Sequence, residues 1–369
     1  MTKKKYVTIF PECEYVHLKK DVGMLPYSLG KYCGYEYSLV CYENESFTKQ
    51  DIEKFHLKCI KREKNDILDF AIYILKNGKQ IDILNLYHIS SRRNVLWIFL
   101  YKLVNPRGKV HMKLDADYRM LALVNMYPKS LRGKIKTSIL RKQVDLYTVE
   151  SKRMQTVLTN KWNINIKIIP NGIYSDKSMI PTKISEKKNV FLTVGRLGTE
   201  QKATENLLQA FECIKDKMDW ELWLVGSIEE NFNKYIENYY IQNPDLKNRV
   251  FFKGNISDAQ RLNKIYKQAK IFVLPSKWEG FPITLIEALE QGEYLIVSDQ
   301  VPATDDIGKN GEYAEVVQYG NIYNLAETML KAVNCECNEK ILEERYNWIR
   351  DNFTWQPIVE KLDQYLKQL

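Results

Sequence analysis

Arg196, Lys202, Glu279 and Glu287 are the residues whose types and spacing point to chemistry. Arg196 and Lys202 flank a polar, glycine-containing segment that follows the apolar run Val190–Val194 and Gly195. Two cations beside a strand end suit a diphosphate and can stabilise a leaving negative charge without a metal. A surface loop with solvated charges would carry the same residues, and residue types alone do not decide between the two. Glu279 opens the segment Glu279-Gly280-Phe281-Pro282-Ile283-Thr284-Leu285-Ile286-Glu287. Pro282 suits the first position of a helix. The N–H groups of Ile283, Thr284 and Leu285 would then be free to bind an anion. Glu279 precedes that helix and Glu287 lies about a turn inside it. Each carboxylate can hold a diol, one on a sugar ring and one on a ribose, at roughly 1.5–3 kcal/mol per charge-assisted bond. The plain alternative is a pair of acids favoured by the helix dipole. A third segment, Lys253-Gly254-Asn255-Ile256, ends a strand-like run. It can pass close to a flat base or make an ordinary turn.

Something must position these residues, and the pattern of the chain says what. Short apolar runs alternate with helical patterns throughout. The runs are Tyr6–Phe10, Ser38–Tyr42, Ile81–Tyr87, Lys109–Leu114, Leu146–Val149 and Ile166–Ile169. They continue as Val190–Val194, Glu221–Val225, Val250–Phe252, Ile271–Leu274 and Tyr294–Ser298. Helices are predicted between them, among others at Thr204–Met218, Asp258–Ala269 and Pro282–Gln291. This is the rhythm of a parallel sheet covered on both faces, and it occurs twice. The fold class is therefore α/β with two doubly wound, Rossmann-like domains. Pro170-Asn171-Gly172 marks a turn between the halves, and a charged stretch follows it. The boundary falls within 172–188, giving domains 1–172 and 173–352 and a last helix in 353–369. In such sheets ligands bind at the C-terminal ends of strands, where all three segments lie.

Composition fits this reading. A chain of 369 residues exceeds one ordinary core. The longest apolar run, Val95–Val104, includes Lys102 and is about half of what a spanning helix needs. The N-terminal apolar run is too short for an export signal, and seven cysteines without a CxxC pair read as reduced thiols. Both point to a cytoplasmic protein. The net charge of +9 suits an anionic partner. No zinc-finger spacing or arginine run supports nucleic acid.

The combination Gly195-Arg196 with Lys202, followed by Glu279 and Glu287 in Glu-Gly-Phe-Pro-x-x-Leu-x-Glu-Ala-Leu, resembles the retaining glycosyltransferase family 4. Ile169-Pro170-Asn171-Gly172-Ile173 is similar to that family's interdomain segment. The resemblance is strong over about 165–310 and weak before it. It implies a GT-B fold, with two Rossmann-like domains facing across a cleft and the final helix, about Trp355–Leu369, crossing back onto the N-terminal domain. It implies that Arg196 and Lys202 bind the donor diphosphate, with Ile283–Leu285 supporting phosphate and sugar. Glu279 then contacts the transferred sugar, Glu287 holds the ribose, and Lys253–Ile256 lie near the base. No cofactor or metal is required; the donor is a nucleotide sugar, with UDP the commonest base in the family.

In the N-terminal half the resemblance implies a glycine-rich loop after the first strand. Asp21-Val22-Gly23-Met24-Leu25-Pro26 fits that place with the single Gly23. Members often carry a histidine at the end of the strand that here runs Lys109–Leu114; this chain has Asp115-Ala116-Asp117 instead. Asp115 is the substitute candidate for a sugar hydroxyl, and His88 and, more weakly, His17 are others. Asp115-x-Asp117 also matches a metal-binding pattern of the other main glycosyltransferase fold, against which the two-half architecture argues. From Lys129 to Lys142 six basic residues interleave with Leu131, Ile135, Ile139 and Leu140, interrupted by Gly133. This pattern fits either an anionic membrane surface or a solvated helix packed on the sheet.

The reading is transfer of a hexose or N-acetylhexosamine from a UDP-sugar to a saccharide acceptor, lipid-linked, during surface polysaccharide assembly. A sugar-nucleotide epimerase, a phosphorylase or a non-catalytic partner subunit of the same fold remain alternatives.

Overall fold

The computed structural model of the protein describes residues 3–89, 92–124, 126, 128–174 and 180–369. Part of the expected joining stretch, 175–179, lies outside the described residues. The chain divides into two compact units, 1–172 together with 354–369, and 173–353.

The first unit is built on seven parallel strands: β1 (Lys5–Ile9), β2 (Glu36–Tyr42), β3 (Leu57–Ile60), β4 (Ile83–Tyr87), β5 (Lys109–Lys113), β6 (Leu146–Val149) and β7 (Ile166–Ile168). Their order across the sheet is β3-β2-β1-β4-β5-β6-β7. Strand order reverses between β1 and β4, which opens a crevice at their C-terminal ends. β4 and β6 are buried along their whole length, as strands covered on both faces must be. The crossover helices Asp66–Asn77, Arg92–Val104 and Leu131–Gln143 lie side by side. The helix Trp355–Lys367 packs on the helix Asp21–Cys33. There the Tyr35 hydroxyl donates to Asp363 Oδ1 at 2.9 Å.

The second unit holds six parallel strands: β8 (Lys188–Val194), β9 (Glu221–Val225), β10 (Val250–Phe252), β11 (Ala269–Leu274), β12 (Tyr294–Ser298) and β13 (Ala314–Val317). Their order is β10-β9-β8-β11-β12-β13, so here the reversal falls between β8 and β11. Phe191 of β8 anchors one side of the core, 4.8 Å from the Trp220 ring and 6.2 Å from that of Phe211.

Two strands escaped the sequence reading, β3 and β13. Both are edge strands of four residues, carrying Lys58 and Glu315 among their apolar positions. A solvated edge needs no continuous apolar run, so the signal that reveals central strands is missing there.

Consecutive strand tips in the second unit are tied by backbone. Gly195 N–H donates to Val225 O and Gly226 N–H to Gly254 O, each at 2.9 Å. The ties demand close approach. Gly226 sits at φ 140°, and a Cβ there would lie 1.7 Å from Gly195 O. Gly226→Ala should therefore destabilise the protein by about 1–3 kcal/mol from backbone strain alone, with the clash adding to it. Denaturant unfolding of the two proteins measures this; equal midpoints would contradict the placement.

Candidate active site

The loop after β8 is folded by its own polar groups. Thr199 Oγ1 donates to Arg196 O at 3.0 Å, and Gly198 N–H donates to Thr204 Oγ1 at 2.9 Å. Ala203 takes a left-handed backbone, φ 46°, immediately before the helix Thr204–Ile214. These constraints lay the Lys202 stem across Gly195, where a Cβ would come within 3.0 Å of Lys202 Cε.

From there Lys202 reaches the loop that follows β11. Its Nζ lies 2.5 Å from Glu279 Oε1. The same oxygen accepts from Ser276 Oγ at 3.0 Å, and Gln201 Nε2 donates to Glu279 Oε2 at 3.3 Å. Gln201 also donates to Trp278 O, accepts from Arg196 Nη2 at 3.1 Å, and its carbonyl accepts from Lys277 N–H at 2.8 Å. The reversal point of the sheet thus holds Arg196, Lys202 and Glu279 in one hydrogen-bonded set. Glu279 engages a single donor of the Lys202 ammonium, which has three. Arg196 is exposed, with its guanidinium fork largely open.

The helix beyond differs from expectation by one residue. It spans Ile283–Glu290, and Pro282 is its N-cap, at φ −73° and ψ 113°, rather than its first helical residue. Leu285 N–H is already spent on Pro282 O at 3.2 Å. Leu285 therefore leaves the set of free donors; Ile283 and Thr284 N–H have no partner among the described residues. Thr284 Oγ1 is buried there and unpartnered among the described residues. The side chains of Phe281 and Leu285 point into the core, Phe281 against Phe353 at 6.0 Å, so only their backbone can meet a ligand. Gly280 completes the loop before them.

Glu287 lies on this helix, where its Oε2 accepts from the Tyr266 hydroxyl at 2.9 Å. Burial pushes its carboxyl above the usual range, against the Tyr266 bond that pulls it down. Lys253 is laid over the Trp223 ring, 3.8 Å from its centroid, and burial lowers its ammonium. Gly254 takes a left-handed turn at φ 69°; Asn255 is exposed, and Ile256 leans on the core.

In the first unit Gly23 is not in a loop. It lies in the first turn of the helix Asp21–Cys33, where a Cβ would come 2.4 Å from Leu18 O. Its missing side chain serves helix packing, which corrects the phosphate-loop expectation. His88 and Asp115 follow β4 and β5 in left-handed conformations, φ 62° and 45°. Burial lowers the His88 imidazole below its ordinary range, so it is neutral near pH 7. Asp115 keeps solvent contact, yet surrounding protein and the charges of Glu150 and Asp21 push its carboxyl up to about 7. Asp117 is occupied by Arg119, at 2.9 Å from Nε. His17 Nδ1 accepts from Glu14 N–H at 2.9 Å. The helix Leu131–Gln143 runs through Gly133, whose N–H is capped by Ser130 Oγ at 3.2 Å. Gly133 therefore does not interrupt it.

Comparison with known proteins gives these tips a context. A glycosyltransferase from Rickettsia africae superposes over 100% of this chain and 99% of its own, with a TM-score of 0.77 at 18% identity. Anabaena HepE, in complex with UDP and glucose, superposes over 99% and 100%, with a TM-score of 0.70 at 14% identity. The fold is GT-B. Residues 175–355 match the family model of glycosyl transferases group 1, a span that covers most of the second unit. The capsular polysaccharide biosynthesis glycosyltransferase CapM of Staphylococcus aureus is 30% identical over 206 residues, 52% of each chain. The chain spans about half or less of the length of such curated relatives.

Sequence reasoning missed Gln201, Ser276 and Tyr266, the residues that hold Arg196, Glu279 and Glu287. Neutral polar side chains in loops or on helices carry no signal of their own; only the fold shows what they reach.

Because the Glu287 carboxyl is raised in the folded state, its stabilising effect is complete below its unfolded value, near pH 4.5, and is lost as pH rises through the folded value. Glu287→Gln should therefore flatten the loss of stability above pH 4.5. Urea unfolding of both proteins across pH 4–8 reads this, and parallel curves would refute it.

Proposed function

We propose that this chain is a retaining glycosyltransferase of family 4. It moves a hexose or N-acetylhexosamine from a nucleotide sugar, with UDP the preferred base, to a lipid-linked saccharide during surface polysaccharide assembly. The observation that carries this reading is the Arg196–Gln201–Glu279–Lys202 set at the reversal point between β8 and β11. Two cations there neutralise a leaving diphosphate, and the reading requires no metal. Ile283 and Thr284 N–H support a phosphate at the helix start. Glu279 takes a hydroxyl of the transferred sugar and Glu287 the ribose, with Lys253 to Ile256 beside the base. His88 and Asp115 serve the acceptor. The UDP and glucose bound by HepE and the capsular role in the name of CapM support the substrate class.

The lipid-linked acceptor is supported by the outer helices of the first unit. Leu131 (74%) and Ile135 (54%) are exposed, and Phe99 and Leu103 are exposed on the adjoining helix. Ile67, Leu68, Ile72 and Leu75 continue the apolar surface onto the next. The helices Arg92–Val104 and Leu131–Gln143 contain no acid. On the helix Asp66–Asn77, Asp66 is paired with Arg93 and Asp69 accepts from the Tyr42 hydroxyl. An apolar face with basic residues and no unengaged carboxylate fits an anionic bilayer. Among the described residues no helix is long and apolar enough to cross one. The proposed location is the cytoplasmic face of the cell membrane.

Arg196→Ala and Lys202→Ala should each lower kcat by about 10²–10³ while the fold is retained. Unchanged turnover in both would remove the diphosphate role, and an epimerised sugar nucleotide or a sugar phosphate as product would replace the reading. Sedimentation with phosphatidylglycerol vesicles should show binding that weakens with salt and with Leu131→Asp plus Ile135→Asp. No binding at low salt would discard the membrane face.

A further inference from the structure

At the tips of β4, β5 and β6 the first unit buries a charged side chain that the proposed reaction leaves unused. Lys113, the last residue of β5, is fully buried. Its ammonium offers three N–H donors, and partners from separate segments converge on it. Glu150, just past β6, is in direct contact; Asp21, at the start of the helix Asp21–Cys33, lies at 3.3 Å; Asn171 Oδ1 accepts at 2.8 Å. The other oxygen of Glu150 accepts from Ala116 N–H at 3.2 Å. Burial alone would lower the Lys113 ammonium; Glu150 and Asp21 outweigh it and hold it above its ordinary range.

One carboxylate suffices to neutralise a buried ammonium. Here two face it, so the cluster carries excess negative charge. Asp115 stands beside that excess. Its chain neighbours hold it there: Lys113, two residues before, contacts Glu150 through its ammonium, and Ala116, the next residue, donates its N–H to the same carboxylate. Asp115 and His88 hold left-handed backbone at neighbouring strand ends, a conformation that costs non-glycine residues on the order of 1 kcal/mol each and persists only where the surroundings impose it. The Tyr87 hydroxyl is buried next to these tips without a hydrogen-bond partner among the described residues.

We propose that Lys113 is the positioning residue of the acceptor side. It locks Glu150, Asp21 and Asn171 at the strand tips and so sets the charge that Asp115 presents to an acceptor hydroxyl. This rests on the reading of Asp115 given above. Lys113 itself touches no substrate. The groups whose charge acts on Asp115 or feels it are Glu150 past β6, Asp21 and Lys20 at the helix start, Lys113 of β5 and Tyr87 of β4. Burial, Glu150 and Asp21 favour the protonated acid, whereas Lys113 and Lys20 favour the carboxylate. Two neighbours of opposite sign on one framework thus tune one carboxyl, and their removal must shift it in opposite directions. Loss of the Lys113 charge stabilises the protonated form and raises the titration midpoint; loss of the Glu150 charge lowers it. An ion cluster serving only the fold would change stability without that opposition.

The test is a carboxyl 13C NMR titration of the full chain labelled at aspartate, with the Asp115 signal identified by its loss in Asp115→Asn. Lys113→Met should raise the midpoint by about one pH unit or more, and Glu150→Gln should lower it comparably. Lys113→Arg should stay near the parent. Midpoints unmoved, or moved in the same direction, would overturn the proposal. If Lys113→Met fails to fold, the direction of the Glu150→Gln shift decides alone. The reading of Asp115 is examined separately, through the pH dependence of kcat/KM for the acceptor. If the near-neutral limb persists in Asp115→Asn, that reading fails while the titration result for Lys113 stands.

Discussion

An ammonium 2.5 Å from a carboxylate, reached from neighbouring strand tips, organises the second unit. The pair between Lys202 and Glu279 is not there for stability. Both side chains are largely buried, and the cost of taking two charges out of water offsets much of their attraction. Its value is geometric. The loops after β8 and β11 have no regular structure of their own, and the pair, Gln201 and the Lys277-to-Gln201 backbone bond are what hold one against the other. A cation held this way keeps donors free for a stronger anion. The rest of the fold serves to bring two loops separated by some seventy residues to one place, and the reversal of strand order between β8 and β11 does so.

The first unit solves a different electrostatic problem at its own strand tips. It encloses its lysine beneath carboxylates, and the polar stripe continues down the sheet. His111 Nε2 is 2.8 Å from Thr148 Oγ1, and its Nδ1 is 2.7 Å from the Tyr6 hydroxyl. Burial, with Lys113 nearby, pushes the His111 imidazole down to about 3, so it stays neutral and costs no buried charge. His111 thereby adds no charge beneath the tips. A tip region with excess carboxylate suits hydroxyl-bearing, uncharged ligands, whereas one with exposed cations suits a polyanion.

Most central strands were legible in the sequence because burial on both faces leaves continuous apolar runs. β3 and β13 were not, because a solvated edge imposes no such run. Arg196, Lys202 and Glu279 were legible as charged residues that follow strands, and the structure joins them. Glu287 was visible as an acid, but its partner Tyr266 comes from the preceding helix, and no local spacing reveals that. Gly23 misled for a physical reason: a glycine after a first strand suits a phosphate loop, and it equally suits a helix that must pass close to the backbone of Leu18. Lys113 was hidden because a lysine ending an apolar run is ordinarily solvated; only the convergence of Asp21, Glu150 and Asn171 shows that it is buried.

The positive charge of the chain is also a matter of place. The net value is +9. The helix Arg92–Val104 holds Arg92, Arg93 and Lys102; the helix Leu131–Gln143 holds Arg132, Lys134, Lys136, Arg141 and Lys142; neither holds an acid. These adjoining helices therefore account for nearly all of the excess, while the remainder of the chain is close to balanced. A second copy of the same face would set cation against cation, so self-association through it is disfavoured. The exposed Leu131, Ile135, Phe99 and Leu103 lie on these two helices. Apolar and cationic groups thus share one surface, and the proposed contact with a bilayer rich in anionic lipid rests on that coincidence.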